Sequence, residues 1–73
     1  MQYSNLGQFI KNKRLEKGLS LNKFATEAEI DPAILCRIEN LKQSIKIEIL
    51  EKIVNAFDTK LSEFLREYEN NFI

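Results

Sequence analysis

Apolar positions recur along this chain at the spacing of helices rather than strands. Leu21, Phe24, Ala25 and Ala28 fall at i, i+3, i+4 and i+7, and Leu50, Ile53, Val54 and Phe57 repeat that pattern further on. Upstream, Leu6 and Ile10, with Phe9 beside them, supply the inner stripe of a first helix. Its expected start is a cap at Ser4 or Asn5, and its expected end is Gly18, a favourable residue just past a helix C-terminus. A fourth helix is expected over roughly Ile47 to Phe57, broken by Asp58-Thr59-Lys60. A fifth begins near Leu61 and carries Leu61, Phe64, Leu65 and Tyr68 on one side. The closing E-N-N-F-I frays unless Phe72 and Ile73 find a partner. The pattern predicts an all-α protein, a compact five-helix bundle around one core.

The stretch from Ser20 to Glu39 holds two helix starts close together. Ser20 is a good N-cap for the helix bearing Phe24 and Ala28. Asp31 followed by Pro32 is a second start, since Asp accepts a backbone N–H and Pro fits the first helical position. On this third helix, about 32–39, Leu35 and Ile38 share a face, while Ala33, Ile34, Cys36 and Arg37 look elsewhere. Glu29-Ile30 must turn the corner between the two, with Ile30 as an apolar plug. Two short helices at a tight turn need a third beneath them, and the arrangement leaves one helix face free to enter a DNA major groove. The stretch reads as a helix-turn-helix.

Composition narrows the choice of function. Seventy-three residues allow one small domain, and an apolar share of 44% is too high for disorder. Eleven basic and eleven acidic residues cancel, so no global field draws the chain to nucleic acid or membrane. The distribution is uneven: residues 1–46 hold eight Lys/Arg against five acids, +3, and residues 47–73 hold three against six, −3. The half with the helix-turn-helix is the basic half. With one cysteine and no histidine, the chain offers no internal disulfide, no Cys/His zinc site and no Ser–His–Asp triad. No cofactor and no enzymatic activity are expected. M-Q-Y-S-N-L-G lacks a signal pattern and no apolar run reaches membrane-spanning length, so a cytoplasmic protein without a membrane partner is expected.

Taken together, I-K-N-K-R-L-E-K-G-L-S at the end of the first helix, F-A at 24–25 and I-L-C-R-I-E-N at 34–40 resemble the Cro/repressor-type, or XRE, helix-turn-helix family. The spacing through L-E-K-I-V-N-A-F to L-S-E-F-L continues the likeness, which covers residues 6–65, with 66–73 as helix end and tail. The resemblance implies a lambda-repressor-like domain whose third helix reads double-stranded DNA, usually as a homodimer. It implies an ion pair between Arg14 and Glu39 at the edge of the core, for which loss of Glu39 would cost roughly 1–3 kcal/mol. It also implies a phosphate-contacting group of Lys13, Ser20, Asn40, Lys42 and Gln43. Ala33, Ile34 and Arg37 would face the bases: Arg37 suits guanine O6/N7, and the two apolar residues suit thymine methyls.

The departures from the family pattern bear on specificity. Leu21 stands where relatives carry a glutamine that clamps the backbone, and Leu41 and Ile45 replace a frequent Gly and Pro. Glu29 replaces a turn glycine, so the corner either avoids a positive φ or tolerates strain. The expected function is a DNA-binding transcriptional regulator, homodimeric through a stripe of Phe64, Tyr68 and Phe72. The alternative is a protein-interaction module on the same fold, antitoxin-like or an accessory regulator, docking a protein partner through its apolar reading face or through the stripe of Phe64, Tyr68 and Phe72.

Overall fold

The computed structural model describes residues 5–41 and 44–72, and within them the chain forms five α-helices. These are α1 (Leu6–Glu16), α2 (Leu21–Ala28), α3 (Pro32–Leu41), α4 (Ile47–Ala56) and α5 (Leu61–Phe72). No described residue is in a strand. No helix is long and apolar enough to cross a membrane among the described residues.

Three helices end in the same way. The N–H of Leu19 reaches back to the Arg14 carbonyl (3.3 Å), that of Ile30 to Ala25 (3.0 Å), and that of Thr59 to Val54 (3.3 Å). Each is the six-residue closure of a Schellman end, which requires a left-handed residue inside it. Gly18 supplies it after α1 with φ +72°, but Glu29 supplies it after α2 with φ 60° and Asp58 after α4 with φ 59°. The corner of the helix-turn-helix therefore tolerates strain. The sequence signal for such an end is glycine, and it was present once.

Helix starts follow their caps. Ser20 Oγ accepts the N–H of Lys23 at 3.1 Å, and Asp31 Oδ1 accepts the N–H of Ala33 at 2.8 Å, with Pro32 in the first turn. Asn5 sits at the N-cap of α1, yet its side chain makes no capping bond. Its backbone N–H donates instead to the Tyr68 hydroxyl at 3.3 Å, tying the start of α1 to α5. Ser4, the other expected cap, lies outside the described residues.

All five phenylalanines and Tyr68 lie in one connected row. Phe24 of α2 stacks on Phe57 (4.6 Å between centroids), Phe57 meets Phe64 of α5 (5.9 Å), and Phe64 meets Phe9 of α1 edge-on (5.1 Å). Phe9 in turn meets Tyr68 (5.6 Å) and Phe72 (5.9 Å), both edge-on. Aromatic pairs in this range add about 0.5–1.5 kcal/mol each beyond their burial. The row explains why α5 continues to Phe72 rather than fraying after Tyr68: Phe72 stacks on Tyr68 at 5.0 Å and covers Phe9. Phe64 and Tyr68 are each 1% exposed, so the stripe expected as a dimer surface is largely the protomer's own core. Of the three, Phe72 alone faces solvent, at 37%.

Candidate nucleic-acid interface

Helix α3 has two faces with opposite character. Leu35, Ile38 and Glu39 are buried, while Pro32, Ala33, Cys36, Arg37 and Asn40 are exposed. Ala33, Cys36, Arg37 and Asn40 stand at i, i+3, i+4 and i+7, so they form one continuous stripe along the helix. Ile34 belongs to neither set. It is half-buried and packs against the core, which removes it from the outward group in which the sequence had placed it. One hundred degrees of helical rotation from Ala33 carries its side chain to the edge of the core rather than outward.

The inner face is fixed from below by α1. An added Cβ on Gly7 would overlap the carbonyl oxygen of Ile38, so the backbones of α1 and α3 touch at that point. Only glycine permits this approach. The sequence did carry a signal for it, since a glycine inside a helical run costs about 1 kcal/mol relative to alanine and calls for a packing reason. Two turns further along α1, Arg14 pairs with Glu39 in parallel: Nε donates to Oε2 at 2.9 Å and Nη2 to Oε1 at 3.0 Å. Nη1 donates to the carbonyl of Leu19 at 2.7 Å, so the same guanidinium also holds the chain leaving α1. Arg14 is 6% exposed and Glu39 4%. The pair is thus inside the core rather than at its edge, and the expected cost of breaking it rises accordingly.

Lys13 takes a different place from the one expected. Its Nζ bonds Glu67 of α5 at 2.9 Å and lies 5.5 Å from the Phe9 ring centroid. Phe9 and Lys13 are one turn apart on the side of α1 that meets α5, whereas Gly7 and Arg14 occupy the side that meets α3. The ammonium is therefore engaged away from the recognition helix. The Ser20 hydroxyl is taken up as the cap of α2. The Asn40 amide is exposed and donates to the Cys36 carbonyl at 2.9 Å, with the Cys36 sulfur 3.5 Å away. Lys42 and Gln43 lie outside the described residues.

Two further residues support the corner. Lys52 of α4 donates to the carbonyl of Glu29 at 3.4 Å, occupying an acceptor at the end of α2. No periodicity or motif pointed to that long-range contact. Ile30 is half-buried against the core, as a plug between the two helices. No buried side-chain nitrogen or oxygen lacks a partner among the described residues. The same residues contain no group of three or more His, Cys, Asp or Glu able to hold a metal ion. The site consists of a helix held firmly on one side, with a short-side-chain stripe and one arginine on the other.

The sequence profile described as helix-turn-helix matches residues 10–64. The chain belongs to the helix-turn-helix family, in its Cro/repressor (XRE) type. Among curated family members, the HTH-type transcriptional regulators SinR of Bacillus licheniformis and of Bacillus subtilis strain 168 are each 38% identical over 63 residues. Each alignment covers 85% of this chain and 57% of the relative. The chain thus spans little more than half the length of the relatives it matches. No solved structure gives a significant match. The family match explains why α2, the corner and α3 follow one another as they do, and it covers the Arg14–Glu39 pair.

Proposed function

We propose that this helix-turn-helix protein is a transcriptional regulator that binds double-stranded DNA, with the outer face of α3 in the major groove. The observation that carries the reading is the asymmetry of α3. Its inner face is buried against α1 and α2, whereas Arg37 is exposed and makes no hydrogen bond or ion pair among the described residues. The likeness to regulators of the SinR kind points the same way. A groove as wide as the major groove admits a helix by its side, and an arginine there is the commonest specific contact to guanine. Lys42 and Gln43, which follow α3 directly, are assigned to phosphates on sequence and resemblance alone.

The protein acts on this reading as a homodimer, because two half-sites one helical turn apart double the contacts. Phe72, exposed at the end of α5, is the candidate for the contact between copies.

Binding of random duplex DNA at two salt concentrations tests the reading. Affinity should fall steeply with salt through counterion release, and Lys42→Ala should reduce the slope by about one. Arg37→Ala should weaken a selected site far more than random duplex. A protein that binds neither duplex, with neither substitution having any effect, would instead favour the protein-docking alternative through Pro32, Ala33 and Cys36.

A further inference from the structure

Which base edges can α3 distinguish? The first two turns of a recognition helix lie nearest the bases, and here their exposed side chains are Asp31, Pro32, Ala33, Cys36 and Arg37. The Asp31 carboxylate is occupied in capping, through its 2.8 Å bond from the Ala33 N–H. Pro32 and Ala33 carry no side-chain donor or acceptor, and a thiol is a weak one. Ile34 is turned toward the core, and Asn40 donates to Cys36 near the far end of the helix. Arg37 is left as the strong hydrogen-bonding side chain of the stripe, with a small apolar surface one turn before it. Apolar contact in the major groove has one specific target, the C5-methyl group that thymine carries and cytosine lacks.

Resting on the DNA-binding reading above, we infer that the site recognises a pyrimidine C5-methyl group beside a guanine. Arg37 makes the bonds to guanine O6 and N7, while Ala33, with Pro32, packs on the methyl. The chemistry has a consequence that hydrogen-bonded readout would not share. An apolar contact senses the methyl and not the ring that bears it, so 5-methylcytosine can take the place of thymine where cytosine cannot. The small size of Ala33 matters as well, because a longer residue would hold the helix away from the groove floor.

The test uses the full chain and the site it selects from a random duplex library. Each thymine of that site is replaced in turn by uracil, which differs only in lacking the methyl. At one position uracil should weaken binding about fourfold, the worth of one buried methyl-sized group. At that position 5-methylcytosine should bind about fourfold tighter than cytosine. Guanine replaced by 7-deazaguanine at the neighbouring position should cost about tenfold or more, and Arg37→Ala should be indifferent to that replacement. Ala33→Gly should show a reduced uracil penalty, the remainder being the contact with Pro32; if it does not fold, Ala33→Ser, which keeps the helix, should show a reduced penalty as well. The inference is overturned if uracil matches thymine everywhere, or if the uracil penalty is undiminished in both Ala33 substitutions. Binding that is salt-dependent but selects no site overturns it while leaving DNA binding intact. Absence of any duplex binding overturns the function itself.

Discussion

The two faces of α3 differ less in composition than in engagement. The inner face meets α1 at backbone distance through Gly7 and is locked by a three-bond guanidinium at Arg14. Beyond the Asp31 cap, the outer face bonds within itself through Asn40 and Cys36 and leaves Arg37 exposed. A surface meant to bind another molecule must not be used up in folding, yet must be held in place by something that is. Here the two demands are met on opposite sides of a ten-residue helix. Substitutions on the inner side should therefore act on stability, and those on the outer side on binding.

The largest effect is expected at Glu39. Glu39→Ala leaves the Arg14 guanidinium buried without its carboxylate, and breaking such a pair costs about 3–5 kcal/mol. In a domain of this size that loss should bring the protein close to unfolding at room temperature. Replacing both partners with apolar residues, Arg14→Met with Glu39→Leu, should cost less than the two single changes together, since no charge is then stranded. Chemical denaturation of the four proteins measures this directly. A cycle with no coupling would show that the pair does not hold α3.

Gly7→Ala comes next, and its sign is the informative part. Alanine is the better helix former by about 1 kcal/mol, so an open site would gain stability. Overlap with the Ile38 carbonyl should instead force α1 away from α3 and cost about 1–3 kcal/mol. A raised melting temperature would mean that the two helices are not in contact there.

On the outer face, Arg37→Ala should leave the denaturation midpoint within about 0.5 kcal/mol of wild type. The same substitution should weaken a selected duplex by about 1–3 kcal/mol. A change that appeared in stability rather than in binding would erase the distinction between the faces.

Smaller effects sharpen the picture of what surrounds α3. Glu29 bears the left-handed turn without the freedom of glycine, a conformation costing an L-residue about 1–2 kcal/mol. Glu29→Gly should recover part of that, about 0.5–1 kcal/mol after the added flexibility of the unfolded chain. Lys13→Ala removes a partly exposed ion pair with Glu67 and should change stability by about 0–1 kcal/mol.

The helices were legible because burial of an apolar stripe leaves a period in the sequence. Phe24, Ala25 and Ala28, and Leu50, Ile53, Val54 and Phe57, all lie in the core. The caps at Ser20 and Asp31 were legible for a local reason, since each bonds a backbone group two or three residues away. What escaped was set by distance in sequence. Lys13 reaches Glu67 across 54 residues and Lys52 reaches Glu29 across 23, and no local pattern encodes either. Spacing alone also left Phe64 and Tyr68 open to two readings. An apolar stripe on the last helix can cover its own core or a second copy, and the position of Phe9 decides for the first. Ile34 shows the same limit on α3, where one helical position separates the reading stripe from the core's edge.

The central claim is that the outward stripe of α3 is the surface that meets DNA. Backbone amide signals followed by NMR during titration with duplex DNA test it most directly. The account predicts that the largest shifts fall on Ala33, Cys36, Arg37 and Asn40 and on Lys42 and Gln43 beyond them. Signals from Asn55 to Glu63 should stay in place. Largest shifts from Asn55 to Glu63, or a spectrum that DNA leaves unchanged, would contradict it.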